Sequence, residues 1–475
     1  MINITIAWIT LPFFLGFIIF LFPKLDRYLS LSIALASTGY ALLLFVYSSP
    51  LTLELLDNFG VTLAIDQLSA YFILTNGLVT LAVIFYCWYS GKSAFFYAQI
   101  AMLHGSVNAT FISSDLISLY VALEVLSIAG FLLIAYPRTD RSIWVGLRYL
   151  FVSNVAMLFY LVGAVLAYQA NHSFGFAALR GAPIEAFALI LMALLVKGGV
   201  FVSGLWLPLT HSESESPVSA LLSGVVVKAG VFPLVRCALI LDEIDPLIRL
   251  FGVATALMGV FYAVFEKDTK RMLAFHTISQ LGFVLAAPQV SGFYALTHGL
   301  VKSALFLIAG VLPSRNFKDL QQKPINTTIW IALVIASLSI SGLPLLAGFG
   351  AKVLTMKNML PWQEIAMNIA AVGTAISFAK FIFLPRGGQG EVSPGFLPAV
   401  ILLISGLVVA NVVYYEAYTL ANIPKAIATI GVGWLAYFLI FKKLAVKLPR
   451  VLEQFEHLIG VMSLTLIAIF WMVLA

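Results

Sequence analysis

The feature that most limits this chain is its succession of about sixteen apolar runs, each close to the roughly 20 residues an α-helix needs to cross a bilayer. They fall approximately at 3–22, 28–48, 66–89, 97–113, 115–136, 143–168, 185–207, 217–241, 246–265, 270–287, 291–313, 327–355, 362–385, 396–415, 424–441 and 457–474. In lipid every backbone N–H and C=O must be satisfied inside a helix or a closed barrel. Barrel strands are shorter segments of alternating polarity, which these runs are not. The expected fold class is an all-α integral membrane protein, a polytopic bundle of about 14–16 transmembrane helices. Of 475 residues 61% are hydrophobic and only 10% charged, which excludes a soluble enzyme, a disordered chain and a nucleic-acid binder. The first run, Ile4 to Phe22, has no basic segment or small-residue cleavage site before Lys24 and is expected to be a retained span. The stretch from Ser48 to Ile65 is expected to hold a small extramembrane hairpin.

The net charge of +6 bears first on topology. One set of alternate loops carries sixteen Lys and Arg, from Lys24 and Arg27 through Lys92, Lys267 and Arg315 to Lys442, Lys443, Lys447 and Arg450. The other carries four, namely Arg180, Arg249, Lys357 and Lys425. An asymmetry of that size places both termini on the non-cytoplasmic side. The membrane is expected to be an energy-coupling one, a prokaryotic plasma membrane.

Seven basic residues remain, and they fall within the spans: Arg148, Lys197, Lys228, Arg236, Lys302, Lys352 and Lys380. Each costs about 2.5–3.5 kcal/mol near the bilayer centre, so they persist only where water, partners or function offset the cost. Arg148 and Asp66 sit close enough to span ends to serve as interfacial anchors. Glu124 is the one charge in Leu116–Tyr136, and the free lysines make an intramembrane partner available to it. Lys197 precedes Gly198 and Gly199, the weakest point of its helix, and an amine beside such a break can take up and release a proton. His298 and Lys302 stand four apart on one helical face. Alone His298 would be a packing histidine; one turn from Lys302 it can relay a proton.

Lys352 follows a second interrupted segment, Gly342, Pro344, Gly348 and Gly350. The interrupted spans are the seventh and twelfth, and an offset of five reverses direction through the membrane. The pattern predicts two inverted five-helix repeats with broken helices 7 and 12. Residues 1–96 then hold helices 1–3, 97–241 the first repeat (helices 4–8), 246–385 the second, inverted repeat (helices 9–13), and 396–475 the C-terminal helices. In this register Lys228 pairs with Lys380, and Glu124 with the span that carries His276. The two cysteines, Cys87 and Cys237, lie in apolar runs without further ligands, so no metal site or cofactor is expected.

These residues give the chain its resemblance to the antiporter-like subunit family shared by respiratory complex I, Mrp cation/proton antiporters and membrane-bound hydrogenases. The match is carried by Leu119-Tyr-Val-Ala-Leu-Glu124, by Lys197 followed by Trp206-Leu-Pro208, and by Ser216-Pro-Val-Ser leading to Val227-Lys228-Ala-Gly230. It continues in Asp268-Thr-Lys-Arg271, Ser279-Gln-Leu-Gly282 and His298 to Gly310. The resemblance covers roughly residues 60–385. It implies fourteen conserved helices, broken helices 7 and 12, and a buried axis conducting protons, onto which Glu124, Lys197, Lys228, Lys302 and Lys352 carry over. The chain departs from the family at His211-Ser-Glu-Ser-Glu-Ser216, where an Ala/Pro-rich acidic turn is usual. The two added C-terminal spans are joined by a segment too short for the long lateral helix of the largest complex I subunit.

Lysine at 352 favours the Mrp D-like branch. The expected function is therefore that of a proton-translocating subunit of a multisubunit Na+/H+ antiporter, with Glu124, Lys197, Lys228, His298, Lys302 and Lys352 as the translocating residues and His276 and Lys380 as further members. The alternative is a proton-pumping subunit, of the complex I subunit 4 type, in an NADH- or ferredoxin-driven quinone reductase. A scaffold that transports nothing is the alternative of a different class, and the buried lysines argue against it. By itself such a chain is a transporter subunit rather than an enzyme, though it can form part of a translocase. Its expected partners are other membrane subunits, protons, sodium and the lipid bilayer, with no nucleic acid.

Overall fold

The computed structural model describes the chain except residues 48, 57–59, 390, 391, 445, 447 and 475. Lys447, counted above among the basic-face cations, lies outside the described residues, as do Ser48 and the tip of the expected hairpin. A helix or a broken pair of helices fills each expected span. These are α1 (Ile2–Leu21), α2 (Asp26–Val46), α3 (Gln67–Cys87), α4 (Ala94–Ile112), α5 (Leu116–Ile134), α6 (Asp140–Asn171), α7 (halves Ile184–Lys197 and Leu207–Glu213) and α8 (Ser216–Ile240). The chain continues through α9 (Asp245–Phe265), α10 (Thr269–Ala286), α11 (Ser291–Ala309), α12 (halves Thr327–Ser341 and Ala347–Lys357), α13 (Glu364–Ile382), α14 (Phe396–Val413), α15 (Asn422–Phe441) and α16 (Phe455–Leu474). Among the described residues twelve helices are long and apolar enough to cross a membrane, and the two parts of α7, bent by 44°, make a thirteenth. The expected hairpin forms from β1 (Leu51–Leu56) and β2 (Gly60–Ile65), paired antiparallel.

Helix starts are set by short polar side chains that accept orphan backbone N–H groups. Asp66 accepts from Ser69, Asp115 from Ser118 and Asp268 from Arg271, while Thr139 and Ser142 cap each other reciprocally. Asp66 also pairs with Arg236 at 2.5 and 2.7 Å, which makes both residues anchors at a helix end. Small residues allow the closest helix approach. A Cβ on Gly252 or Gly259 of α9 would run into the backbone of α10, and one on Gly282 of α10 into the backbone of α9. The innermost helices are α8 and α11, whose most apolar windows are wholly buried, together with α10, in which every residue is buried. Those three carry Lys228, His298, Lys302 and His276.

The C-terminal helices lie on two different flanks. α15 packs on α13, with Trp434 5.2 Å from Phe383. The connection then crosses the basic face and delivers α16 to α6 and α7, with Phe455 5.1 Å from Phe151. One buried residue anchors that crossing. Both carboxylate oxygens of Glu453 accept from Arg271 at 2.7 Å, and its carbonyl accepts from Arg148. Arg271 also meets Glu266 at 3.1 Å. Burial pushes the Glu266 carboxyl up, but Arg271 and the N–H groups of Lys267 and Asp268 outweigh it and hold the group below the usual carboxylate range.

Removing Glu453 leaves Arg271 with Glu266 as its remaining carboxylate and breaks a buried charge-assisted bond, at a cost of about 2 kcal/mol. Glu453→Ala should therefore lower the thermal unfolding transition of the purified chain and expose α16 to protease. Glu456→Ala, an exposed position one turn on, should change neither; equal behaviour of the two variants would refute the anchor.

Candidate functional site

Lys197 ends the first half of α7. Its amine donates to the hydroxyls of Ser127 and Ser153 and to the carbonyl of Leu123 at 3.2 Å. The two serines also bond each other at 2.9 Å. Glu124, one residue along α5 from that carbonyl, forms no ion pair among the described residues, and one of its carboxylate oxygens is buried without a hydrogen-bond partner. Val121 and Ile128, one turn to either side, are exposed, so Glu124 lies on the flank of the bundle. The helix stops after Lys197 because Gly199 adopts a positive φ of 65° and the chain turns away.

Lys228 is wholly buried in α8. The residues before it, Leu222–Val226, form a π-helical turn, which shifts the backbone register and leaves carbonyls without their usual donors. The Lys228 amine takes two of these, Gly224 at 2.6 Å and Ser223 at 3.2 Å. Beside Lys197 lies a cavity of about 10 Å³ lined by Tyr149, Ser153, Lys197, Trp206, Val226 and Gly230, about the size of one water. On the other side α11 closes in at Gly299, where a Cβ would stand 3.6 Å from Lys228 Cε. That contact brings the neighbouring His298 to the same helix pair.

One turn along α11, the Lys302 amine donates to the carbonyl of Leu273 in α10 and lies 5.3 Å from the centre of the Phe306 ring. His276 follows Leu273 by three residues, on the same face of α10, and its ring packs 4.7 Å from Phe378. Lys352, in the second half of α12, donates to Ser341 at 3.0 Å, the last carbonyl of the first half. Gly342 provides the break with φ 89°. A cavity of about 180 Å³ leads from Lys352 past Asn368 and Asn422 to Lys357, Glu364 and Lys425 on the face poor in cations.

The expected residues lie on α5, α7, α8, α11, α10 and α12, and Lys380 on α13. The Lys380 amine binds the carbonyls of Ala263, Val264 and Glu266 at 2.6–3.2 Å, which makes it a cap on the C-terminus of α9. Arg148 likewise serves as an anchor, through Glu453. The amines of Lys197, Lys228, Lys302 and Lys352 meet carbonyl and hydroxyl oxygens rather than carboxylates.

Histidines in the chain divide by how they are satisfied. His104 is a core histidine, with Nδ1 2.9 Å from Thr80 and Nε2 2.7 Å from Ser37. His276, His298 and His211 are wholly buried, and among the described residues no protein group is placed to bond either ring nitrogen of His276 or His298. His211 is the functional candidate that residue-by-residue reading passed over. Its ring lies 5.8 Å from that of Phe306, which also faces Lys302. The Lys270 amine bonds the carbonyl of Ser214, three residues further on toward the basic face. A histidine inside the half-helix after a break was the available signal. Ser127 and Ser153 had none, since serines are common in membrane helices.

A helical membrane bundle with two broken helices and several buried amines defines a polytopic membrane class of fold. The model of the NADH:quinone oxidoreductase/Mrp antiporter transmembrane family matches residues 113–377, and the chain belongs to that family. It is 28% identical over 432 residues to the D-type Na(+)/H(+) antiporter subunit of Alkalihalophilus pseudofirmus, covering 82% of this chain and 88% of that one. It is 30% identical over 365 residues to the N-type NADH-quinone oxidoreductase subunit of Desulforudis audaxviator, covering 68% and 72%. Among solved structures it shares the fold of the Mrp complex from Dietzia sp. DQ12-45-1b, with a TM-score of 0.79 at 22% identity, covering 98% of this chain and 59% of that one. A membrane-bound sulfane sulfur reductase, an archaeal respiratory membrane complex, matches with a TM-score of 0.75 at 21% identity, covering 91% and 98%.

Proposed function

We propose that the chain is the proton-translocating subunit of a multisubunit Na+/H+ antiporter in a prokaryotic plasma membrane, with both termini on the non-cytoplasmic side. The observation that carries this reading is the set of buried amines that rest on carbonyl and hydroxyl oxygens, two of them, Lys228 and Lys352, on carbonyls left free by a π turn and a helix break. An ammonium held by a carbonyl can lose its proton without leaving a buried carboxylate unpaired, whereas a tight ion pair would lock it. Protons move from Glu124 through Lys197, Lys228, His298 and Lys302 to Lys352, with His276 beside the central link. His211 and Lys270 supply the approach from the basic face. Lys352 exchanges with the opposite face through its polar cavity, and the exposed flank beside Glu124 is where a neighbouring subunit meets this route. Helices 4–8 and 9–13 act as inverted repeats, each contributing one broken helix.

The similarity to the N-type quinone oxidoreductase subunit supports a second reading, a proton pump in a redox-driven complex. Purification of the tagged chain in mild detergent separates the two. Small hydrophobic subunits without redox proteins are expected, and flavin or iron–sulfur subunits would favour the second reading. In proteoliposomes of the purified assembly, Lys352→Ala should slow Na+-driven proton movement by roughly tenfold to a hundredfold, water in the cavity carrying the remainder. Unchanged exchange would remove Lys352 from the route.

A further inference from the structure

Away from the buried amines, α9 and α13 part toward the lipid and leave an apolar groove of about 860 Å³. Phe261 and Phe265 of α9, Ile369 and Val372 of α13, and Phe441 at the end of α15 line it. On α13 the lining runs from Ile365 to Ile376, about 17 Å of helix, close to half of a hydrocarbon core about 30 Å thick. At the basic face Phe265 and Phe441 approach to 5.6 Å. Just beyond them a second cavity, of about 400 Å³, shares Phe265 and is lined by Tyr262, Lys267, Leu448 and Arg450.

The charge at that end is unbalanced. Glu266 and Glu453 also border the second cavity, but both carboxylates are engaged by Arg271, and Arg450 adds a further contact to Glu266 at 3.5 Å. Among the described residues Lys267, Lys442 and Lys443 have no ion-pair partner, and the latter two follow Phe441 directly. An apolar slot one leaflet deep, ending in uncompensated cations at the membrane boundary, complements an amphiphile with a negative head. The connection overhanging the cavity at Val446 and Leu448 leaves room for a headgroup.

We propose that this site binds one anionic diacyl phospholipid, its acyl portion in the groove between α9 and α13 and its phosphate at Lys267 and Arg450. The bound lipid fills the gap between the bundle and the crossing connection that carries α16. The proposal does not depend on which ions the buried amines conduct.

The test uses the full chain with its co-purifying subunits, in nanodiscs of phosphatidylcholine containing a minor fraction of phosphatidylglycerol, followed by native mass spectrometry. Wild type should retain about one phosphatidylglycerol in preference to phosphatidylcholine. Lys267→Gln combined with Arg450→Gln, both at positions outside the proton route, should lower that retention roughly tenfold. Ile369→Trp, which fills the groove without touching the cations, should displace both lipids. Equal retention of the two lipids, unaffected by the double variant, would overturn the proposal. So would efficient cross-linking of an Ile369→Cys variant to a neighbouring subunit in intact membranes, since a protein would then occupy the groove.

Discussion

Lys197→Ala is expected to abolish proton movement through the assembly, by roughly a thousandfold or more in reconstituted vesicles, while leaving the chain folded and assembled. The loss should be nearly complete because the small space beside Lys197 holds about one water, and the other titratable side chain lining it, the phenol of Tyr149, has no cationic form that could stand in for the amine. The fold should survive because Ser127 and Ser153 already bond each other at 2.9 Å. Removing the amine therefore strands no polar group and takes a costly charge out of the membrane interior. Lys197→Arg separates charge from proton exchange, since a guanidinium keeps its positive charge but does not release its proton. It should be as inactive as Lys197→Ala. Transport by the arginine variant would show that Lys197 acts as a fixed charge and not as a carrier.

Gly230→Val is expected to have the largest effect on the fold itself. A Cβ at Gly230 would stand 2.5 Å from the backbone carbon of Lys197 and closer still to the amide of Gly198. Neither atom can move without reshaping the break in α7. Overpacking against backbone at a buried contact costs about 3 kcal/mol or more, enough to deplete the chain from the membrane. The comparator is Gly224→Ala on the same helix. Its new methyl would collide with the Ser303 hydroxyl, a side chain that can rotate away. The cost there is mainly the loss of the Ser303 bond to Ala220, about 1 kcal/mol. Membrane abundance and thermal stability should therefore rank wild type, then Gly224→Ala, then Gly230→Val. Equal tolerance of both substitutions would mean that α8 does not press on the break.

Lys197, Lys228, Lys302 and Lys352 were legible in the sequence because charge inside an apolar run is expensive and needs a reason. Gly198 with Gly199, and Gly342 with Pro344, were legible for the same kind of reason, since those residues weaken a helix locally whatever surrounds it. The partner of each amine was not legible. Glu124 is the only carboxylate in Leu116–Tyr136 and sequence reasoning turned to it, but Lys197 instead meets two serines and a carbonyl from α5 and α6. Which oxygen is free depends on where a helix breaks and how its neighbour docks. Lys380 shows the same limit: its repeat position suggested a counterpart of Lys228, while its contacts are those of a helix cap.

The sequence by itself determined the all-helical membrane class, the approximate placement of the apolar helices and the charges inside the apolar runs. Hydropathy, charge and backbone freedom are properties of short segments and need no partner to act. Only the tertiary structure decided that His211 packs on the Phe306 ring that also faces Lys302, that the last helix returns to cover α7 through Glu453, and that Lys352 lines a cavity at the cation-poor face. Those outcomes follow from contacts between residues far apart in the chain, where packing and hydrogen-bond satisfaction choose among arrangements that local physics leaves equal.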